Sequence, residues 1–142
     1  MKTNREYLNS ILKTTQMGQI GIRSVQGEAV QGELRRALKS QLKEYDAIES
    51  EAKTIAMQRG WQLSDLNPGV RAMAEMMSRA QLLGGNRDSK IAGMMIQGNT
   101  RGIIMGLKAS RETYSPDDRV GGLAQKLMDT ENTNIQQMKP FL

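Results

Sequence analysis

Between Leu34 and Ile55 an inward-capable residue returns every three or four positions: Leu34, Leu38, Gln41, Leu42, Tyr45, Ile48, Ala52, Ile55. That period matches one face of an α-helix and is incompatible with the two-residue alternation of a strand. No proline interrupts it. The three prolines of the 142-residue chain are Pro68, Pro116 and Pro140, each placed where a helix would begin or end. Strand formers and turn clusters are sparse, which argues against a β-sandwich or barrel. The fold class expected is therefore all-α, a single domain over residues 1–142.

Four long helices are predicted, together with one short one. The first spans about 4–25, opened by the capping-box pair Thr3 and Glu6, with Leu8, Ile11, Leu12, Thr15, Gln19 and Ile22 on one stripe. Gly27 breaks the chain, and the second helix spans about 28–59, closed by Gly60 as a C-cap. Asn67-Pro68 starts a short helix over 68–83, carrying Val70, Met73, Ala74, Met76, Met77 and Ala80 before Gly84-Gly85. A third long helix is predicted over 87–113. A fourth follows over 117–138, with Val120, Leu123, Leu127, Glu131, Asn134 and Met138 aligned. Long helices of this kind reach roughly 33–48 Å at 1.5 Å per residue. Residues 61–86 are long enough to return the chain along that length. The expected architecture is therefore two helical hairpins joined by a crossover that contains a short extra helix, with the short helix packed across one end of an up-down-up-down bundle as the weaker alternative.

The chain contains no histidine and no cysteine. This excludes imidazole- and thiolate-based zinc, copper, haem and iron–sulfur sites, as well as histidine-dependent acyl transfer. A net charge of +5 raises nucleic acid or an anionic membrane as partners. The one basic cluster, Arg35, Arg36, Lys39 and Lys43, is followed by Glu44, Asp46, Glu49 and Glu51. Such sign alternation is typical of a solvated helix face, so nucleic-acid binding is the weaker expectation. The start of the chain carries no secretory pattern, and no run is apolar enough to span a bilayer. A cytoplasmic location is expected.

Three features point to packing or contact. Gly98, Gly102 and Gly106 repeat at four-residue spacing in the third long helix. Each interior glycine costs roughly 0.5–1 kcal/mol against alanine, so a close approach of another element is expected there, with Gly18 and Gly21 as its counterpart. Eleven methionines, concentrated between Met73 and Met105, fill irregular cores or adaptable interfaces. A homodimer or another protein partner is expected through these surfaces. Finally, Glu131 and Asn134 fall on the apolar face of the last helix. Antiparallel pairing about a turn near residue 115 sets Arg101 opposite about residue 129. An interior polar cluster of Arg101, Glu131, Asn134 and Tyr45 is predicted, with an Arg101–Glu131 ion pair and Gln19 near it.

The segments Gln41–Ile48, Met95–Ile104 and Glu131–Leu142, in hairpin–crossover–hairpin order, resemble the ferritin-like four-helix-bundle superfamily. They are most similar to an uncharacterised family of small bacterial bundles. The resemblance implies a ferritin-like four-helix bundle. Di-metal members carry one Glu on each of two helices and Glu-x-x-His on the other two. Here Glu44 is followed by Ala47 and Glu131 by Asn134 where imidazoles belong, and no carboxylate lies between Asp88 and Glu112. The expectation is a non-enzymatic structural or interaction module with no catalytic residues, no cofactor and no di-metal site. The alternative is an unusual carboxylate metal protein, for storage or sensing, that uses Glu44 and Glu131.

Overall fold

The structure, a computed structural model, describes residues 1–142 and is all-helical. Five α-helices pack together: α1 (Asn4–Val25), α2 (Gly32–Arg59), α3 (Pro68–Gln81), α4 (Arg87–Glu112) and α5 (Asp118–Met138). Single 3-10 turns follow α1, over Gln26–Glu28, and α5, over Lys139–Phe141. No helix is long and apolar enough to cross a membrane.

Local signals account for the ends. Thr3 Oγ1 accepts from the Glu6 amide at 3.1 Å at the start of α1. Asn67 caps α3 ahead of Pro68. Asp117 caps α5, accepting from the Arg119 amide at 2.9 Å and the Val120 amide at 3.2 Å. Gly60 closes α2 in the left-handed region at φ 67°. One boundary differs clearly from expectation, because α2 begins at Gly32 rather than at residue 28. The intervening chain turns outward so that the Val30 and Gln31 amides donate to the two oxygens of Asp88, at 2.7 and 2.9 Å. A buried carboxylate at the start of α4 thus holds the α1–α2 corner. Burial alone would raise the Asp88 pKa, but the two amide donors and nearby Arg35 hold it below its ordinary value.

Helix directions follow from contacts at the ends. The Lys2 amide donates to the Glu112 carbonyl at 2.7 Å, and Asn4 Oδ1 accepts from the Asp117 amide at 2.8 Å. The start of α1 therefore meets the α4–α5 turn, while its end meets the start of α4 through Asp88. Arg59 pairs with Asp117 at 2.7 Å, and Gln41 Nε2 donates to Gln137 Oε1 at 2.9 Å, so α2 runs antiparallel to α5. Consequently α2 and α4 run the same way, and the chain must travel back between them.

It does so along α1. Asn9 clamps Ser64 in both directions, donating from Nδ2 to its carbonyl at 2.8 Å and accepting its amide at 2.9 Å. Gln16 Oε1 accepts from the Leu66 amide at 2.9 Å, and its Nε2 donates to Asp65 at 2.7 Å. Helix α3 then packs on α1, Leu82 is buried, and the chain re-enters the packing at Arg87. Residues 61–86, with the short helix α3 among them, make this return.

The predicted stripes of α1, α2 and α5 are the core. Leu8, Leu34, Leu38, Ile48, Ile91, Val120 and Met138 are wholly enclosed. The stripe of α3 is not: the helix contributes no buried residue. Replacing Asp88 with Asn is expected to destabilise the chain by roughly 1.5–3 kcal/mol at neutral pH, since two charge-assisted bonds are weakened. Because the Asp88 pKa is depressed by folding, its contribution is present above the unfolded carboxylate range and fades as pH falls below it. Denaturant titrations of both chains at neutral and acidic pH should therefore converge at the acidic end.

Candidate functional site

The interior of the four long helices is crossed by polar side chains drawn mainly from α2, α4 and α5. Tyr45, which is buried, donates its hydroxyl to Asn99 Oδ1 at 2.8 Å. Asn134 Nδ2 donates to the same oxygen at 3.2 Å and to Tyr45 Oη at 3.4 Å. Asn99 Nδ2 donates to its own helix at the Met95 carbonyl, 2.6 Å away. One phenol and two amides thus satisfy one another across three helices. Burial, and next the nearby carboxyl of Glu131, raise the Tyr45 pKa well above the ordinary phenol value. Tyr45 is a fixed hydrogen-bond donor, not an acid–base group.

Glu131 stands one helical turn before Asn134 and only 2% of it is exposed. Its Oε1 is buried and makes no hydrogen bond, and no Lys or Arg lies within ion-pair distance of it. Desolvation pushes its pKa from 4.5 up to about 8. The carboxyl rests on the backbone of α4 at Gly102, where a Cβ would lie under 3.0 Å from Cδ and both oxygens of Glu131. It also borders a cavity of about 220 Å³ between α1, α4 and α5.

The sequence placed Tyr45, Glu131 and Asn134 in one interior cluster, and the structure brings all three inside. Arg101 is not among them. It is exposed on the outer face of α4 and forms no ion pair with Glu131. Arg101 stands at the level of Glu131 along α4 but on the exposed face. At 100° per residue the inward position at that level is Gly102, so Glu131 meets a hydrogen atom where a guanidinium was expected.

Gln19 also points elsewhere. Its Nε2 donates to Asp46 at 2.9 Å and Glu49 at 3.3 Å along the α1–α2 seam. Asn99 was missed, although it shares a face with Asp88, Ile91, Ala92, Met95 and Gly102, and that periodicity was available to find it.

The predicted metal pair separates as well. Glu44 is exposed on α2 while Glu131 is enclosed against α4, so the two do not converge on one ion. Ala47 is exposed too. The register laid on Glu44-x-x-Ala47 is therefore one position off the inward face, which belongs to Gln41, Tyr45 and Ile48. No three His, Cys, Asp or Glu side chains gather in a form that could hold a metal ion.

The three glycines of α4 divide. Gly102 is buried beneath Glu131, and a Cβ at Gly106 would stand 3.6 Å from Met128 Cγ, while nothing lies within 4 Å of one at Gly98. A four-residue repeat drifts about 40° per step around a helix of 3.6 residues per turn, and this carries Gly98 out to the exposed face. Gly18, named as part of a counterpart face, is a contact of its own. It receives the Tyr45 ring, three of whose atoms lie under 3.0 Å from an added Cβ. Gly21 faces Met95 of α4 at an ordinary 3.6 Å.

No protein family, curated protein or solved structure matches the chain. The site is accordingly defined by its own chemistry: a satisfied neutral network with one unsatisfied carboxyl beside it.

Two outcomes are expected. Gly98→Ala should stabilise the fold by about 0.5–1 kcal/mol, because only helix propensity changes. Gly102→Ala should instead cost about 1–3 kcal/mol through overpacking against Glu131; thermal unfolding of the pair tests the contrast. Glu131 carries the opposite pH sign to Asp88. Its folded pKa is raised, so its contribution is most favourable below the unfolded value of 4.5 and is lost as pH rises through about 8. Glu131→Gln is expected to remove that loss. Its stability relative to the parent should climb by about 2–4 kcal/mol between pH 5 and pH 9 in denaturant titrations.

Proposed function

We propose that the chain is a non-enzymatic ferritin-like bundle acting as a protein-interaction module, in which a second copy docks on α3. Hairpin, crossover and hairpin, with the second and third long helices running the same way, are the frame expected of such a bundle. Its inner faces carry one carboxylate among amides, a phenol and a glycine. That donor set suits a scaffold better than a di-metal centre.

The observation that carries the reading is the outward face of α3. Val70, Met73, Met76 and Met77 are 47–71% exposed, and Leu83 just beyond the helix is 76% exposed. A helix of 14 residues is marginal alone in water, and here it turns its smaller and polar side, Arg71, Ala74, Glu75 and Ser78, toward the protein. A contiguous apolar face left in solvent is characteristic of an interaction surface. Methionine suits self-association, since its flexible thioether repacks against an identical stripe.

Size-exclusion chromatography with light scattering is expected to give roughly twice the 15.8 kDa of one chain. Met73→Lys combined with Met77→Lys should return the mass to a single chain with unchanged helical circular dichroism, since neither residue is buried. A parent chain that stays monomeric at high micromolar concentration would refute the reading.

A further inference from the structure

The cavity between α1, α4 and α5 has the features of a binding site. Its volume is about 220 Å³, and its lining includes Ile11, Ala109, Leu127 and Met128, with Thr14 and Gly102 among the polar and small positions. Glu131 lines it too, 98% enclosed by the fold (2% exposed), with Oε1 buried and no hydrogen-bond partner. Such a group is expensive to bury unless something donates to it. No side chain of the fold donates to Oε1. Arg101 faces outward, and the amides of Asn99 and Asn134 are engaged with the Met95 carbonyl, with Tyr45 and with each other.

We propose that this cavity binds a small monoamine with an apolar body, its ammonium group donating to the Glu131 carboxylate and its body lying against Ile11, Leu127 and Met128. A cavity of 150 Å³ holds benzene, so 220 Å³ accommodates roughly eight to ten heavy atoms. Selectivity for a single positive charge comes from the rim. Lys2 and Lys108 line the cavity beside Glu112, and a second ammonium at the far end of the ligand would meet two lysines.

Gly102 has a specific place in this site. Any side chain there would occupy the space of the carboxyl itself. The four-residue glycine repeat thus includes a position that seats the binding group.

Binding moves a proton. With the carboxyl pushed up to about 8 by burial, Glu131 is mostly protonated in the empty cavity at pH 7. Arrival of an ammonium ion leaves a carboxylate–ammonium pair and releases that proton to buffer. The other titratable groups facing the site are Lys2 from the N-terminal segment, Tyr7 from α1, Tyr45 from α2, and Lys108 and Glu112 from α4. Glu131 is the one titratable residue that α5 gives to the lining. Tyr45 keeps its proton throughout this range, because its pKa is raised.

Isothermal titration with hexylamine, hexanol and hexanoate tests the proposal. The parent chain is expected to bind hexylamine saturably and in equimolar ratio, with the heat at pH 7 varying with buffer ionisation enthalpy as a proton is released. Hexanol and hexanoate should bind at least tenfold more weakly. Glu131→Gln should weaken hexylamine at least tenfold and abolish the buffer dependence, while its circular dichroism confirms the fold. Ala109→Leu, which fills the cavity and leaves the carboxyl in place, should also weaken binding. Equal hexylamine affinity in the Glu131→Gln chain, or no saturable binding by the parent, would overturn it.

Discussion

The separation of α4 and α5 is set where Glu131 lies on the backbone of Gly102. A carboxyl group fills the volume that any other residue at position 102 would need, so the two helices can approach only with glycine on one side and the acid on the other. The adjoining turn depends on that approach. Asn134 reaches Asn99 and Tyr45 at 3.2 and 3.4 Å because α5 is held at this distance. On the opposite flank, Tyr45 itself fits only because Gly18 leaves room for its ring. Two glycines on different helices thereby admit Tyr45 and Glu131 to the interior.

The polar layer and the aliphatic core do different work. Leu and Ile packing is non-directional and tolerates sliding, since one apolar stripe fits another in several registers. The Tyr45–Asn99–Asn134 network tolerates little. A shift of one turn would leave three buried polar groups unpaired, at about 1–3 kcal/mol each. Fully satisfied, such a network specifies a single register. Glu131 stands apart because, one turn away, its Oε1 is buried without a partner.

Much of this was legible beforehand, and the failures have physical causes. The stripes of α1, α2 and α5 could be read because each long helix repeats its buried face over several turns, and small errors average out. Tyr45, Glu131 and Asn134 were readable as polar residues on otherwise apolar faces. Arg101 misled because level along a helix was used without angle around it; one residue's difference replaced a buried cation with Gly102. Gly98 misled in the same way, through a repeat of four on a helix of 3.6. Glu44 and Ala47 have the spacing of the Glu-x-x-His motif but stand off the Gln41, Tyr45 and Ile48 stripe, and spacing alone assigns no face. The Asp88 clamp had no sequence signal, because it joins residues 30 and 88, which only the fold brings together.

The crossover shows why α3 resisted the same reading. Its stripe Val70, Met73, Met77 and Ala80 has the period of a core-facing helix, and period alone assigns a side, not a neighbour. What decides the side is how the chain arrives. Asn9 and Gln16 pin residues 64–66 to the outside of α1, and Leu82 and the left-handed Gly84 and Asn86 fix the exit into α4. Between these anchors the helix lies on a surface already closed by α1, whose own apolar residues face inward. No core remains for its methionines to enter. The small residues Ala74 and Ser78 therefore take the contact, and the methionines of the amphipathic pattern stay exposed.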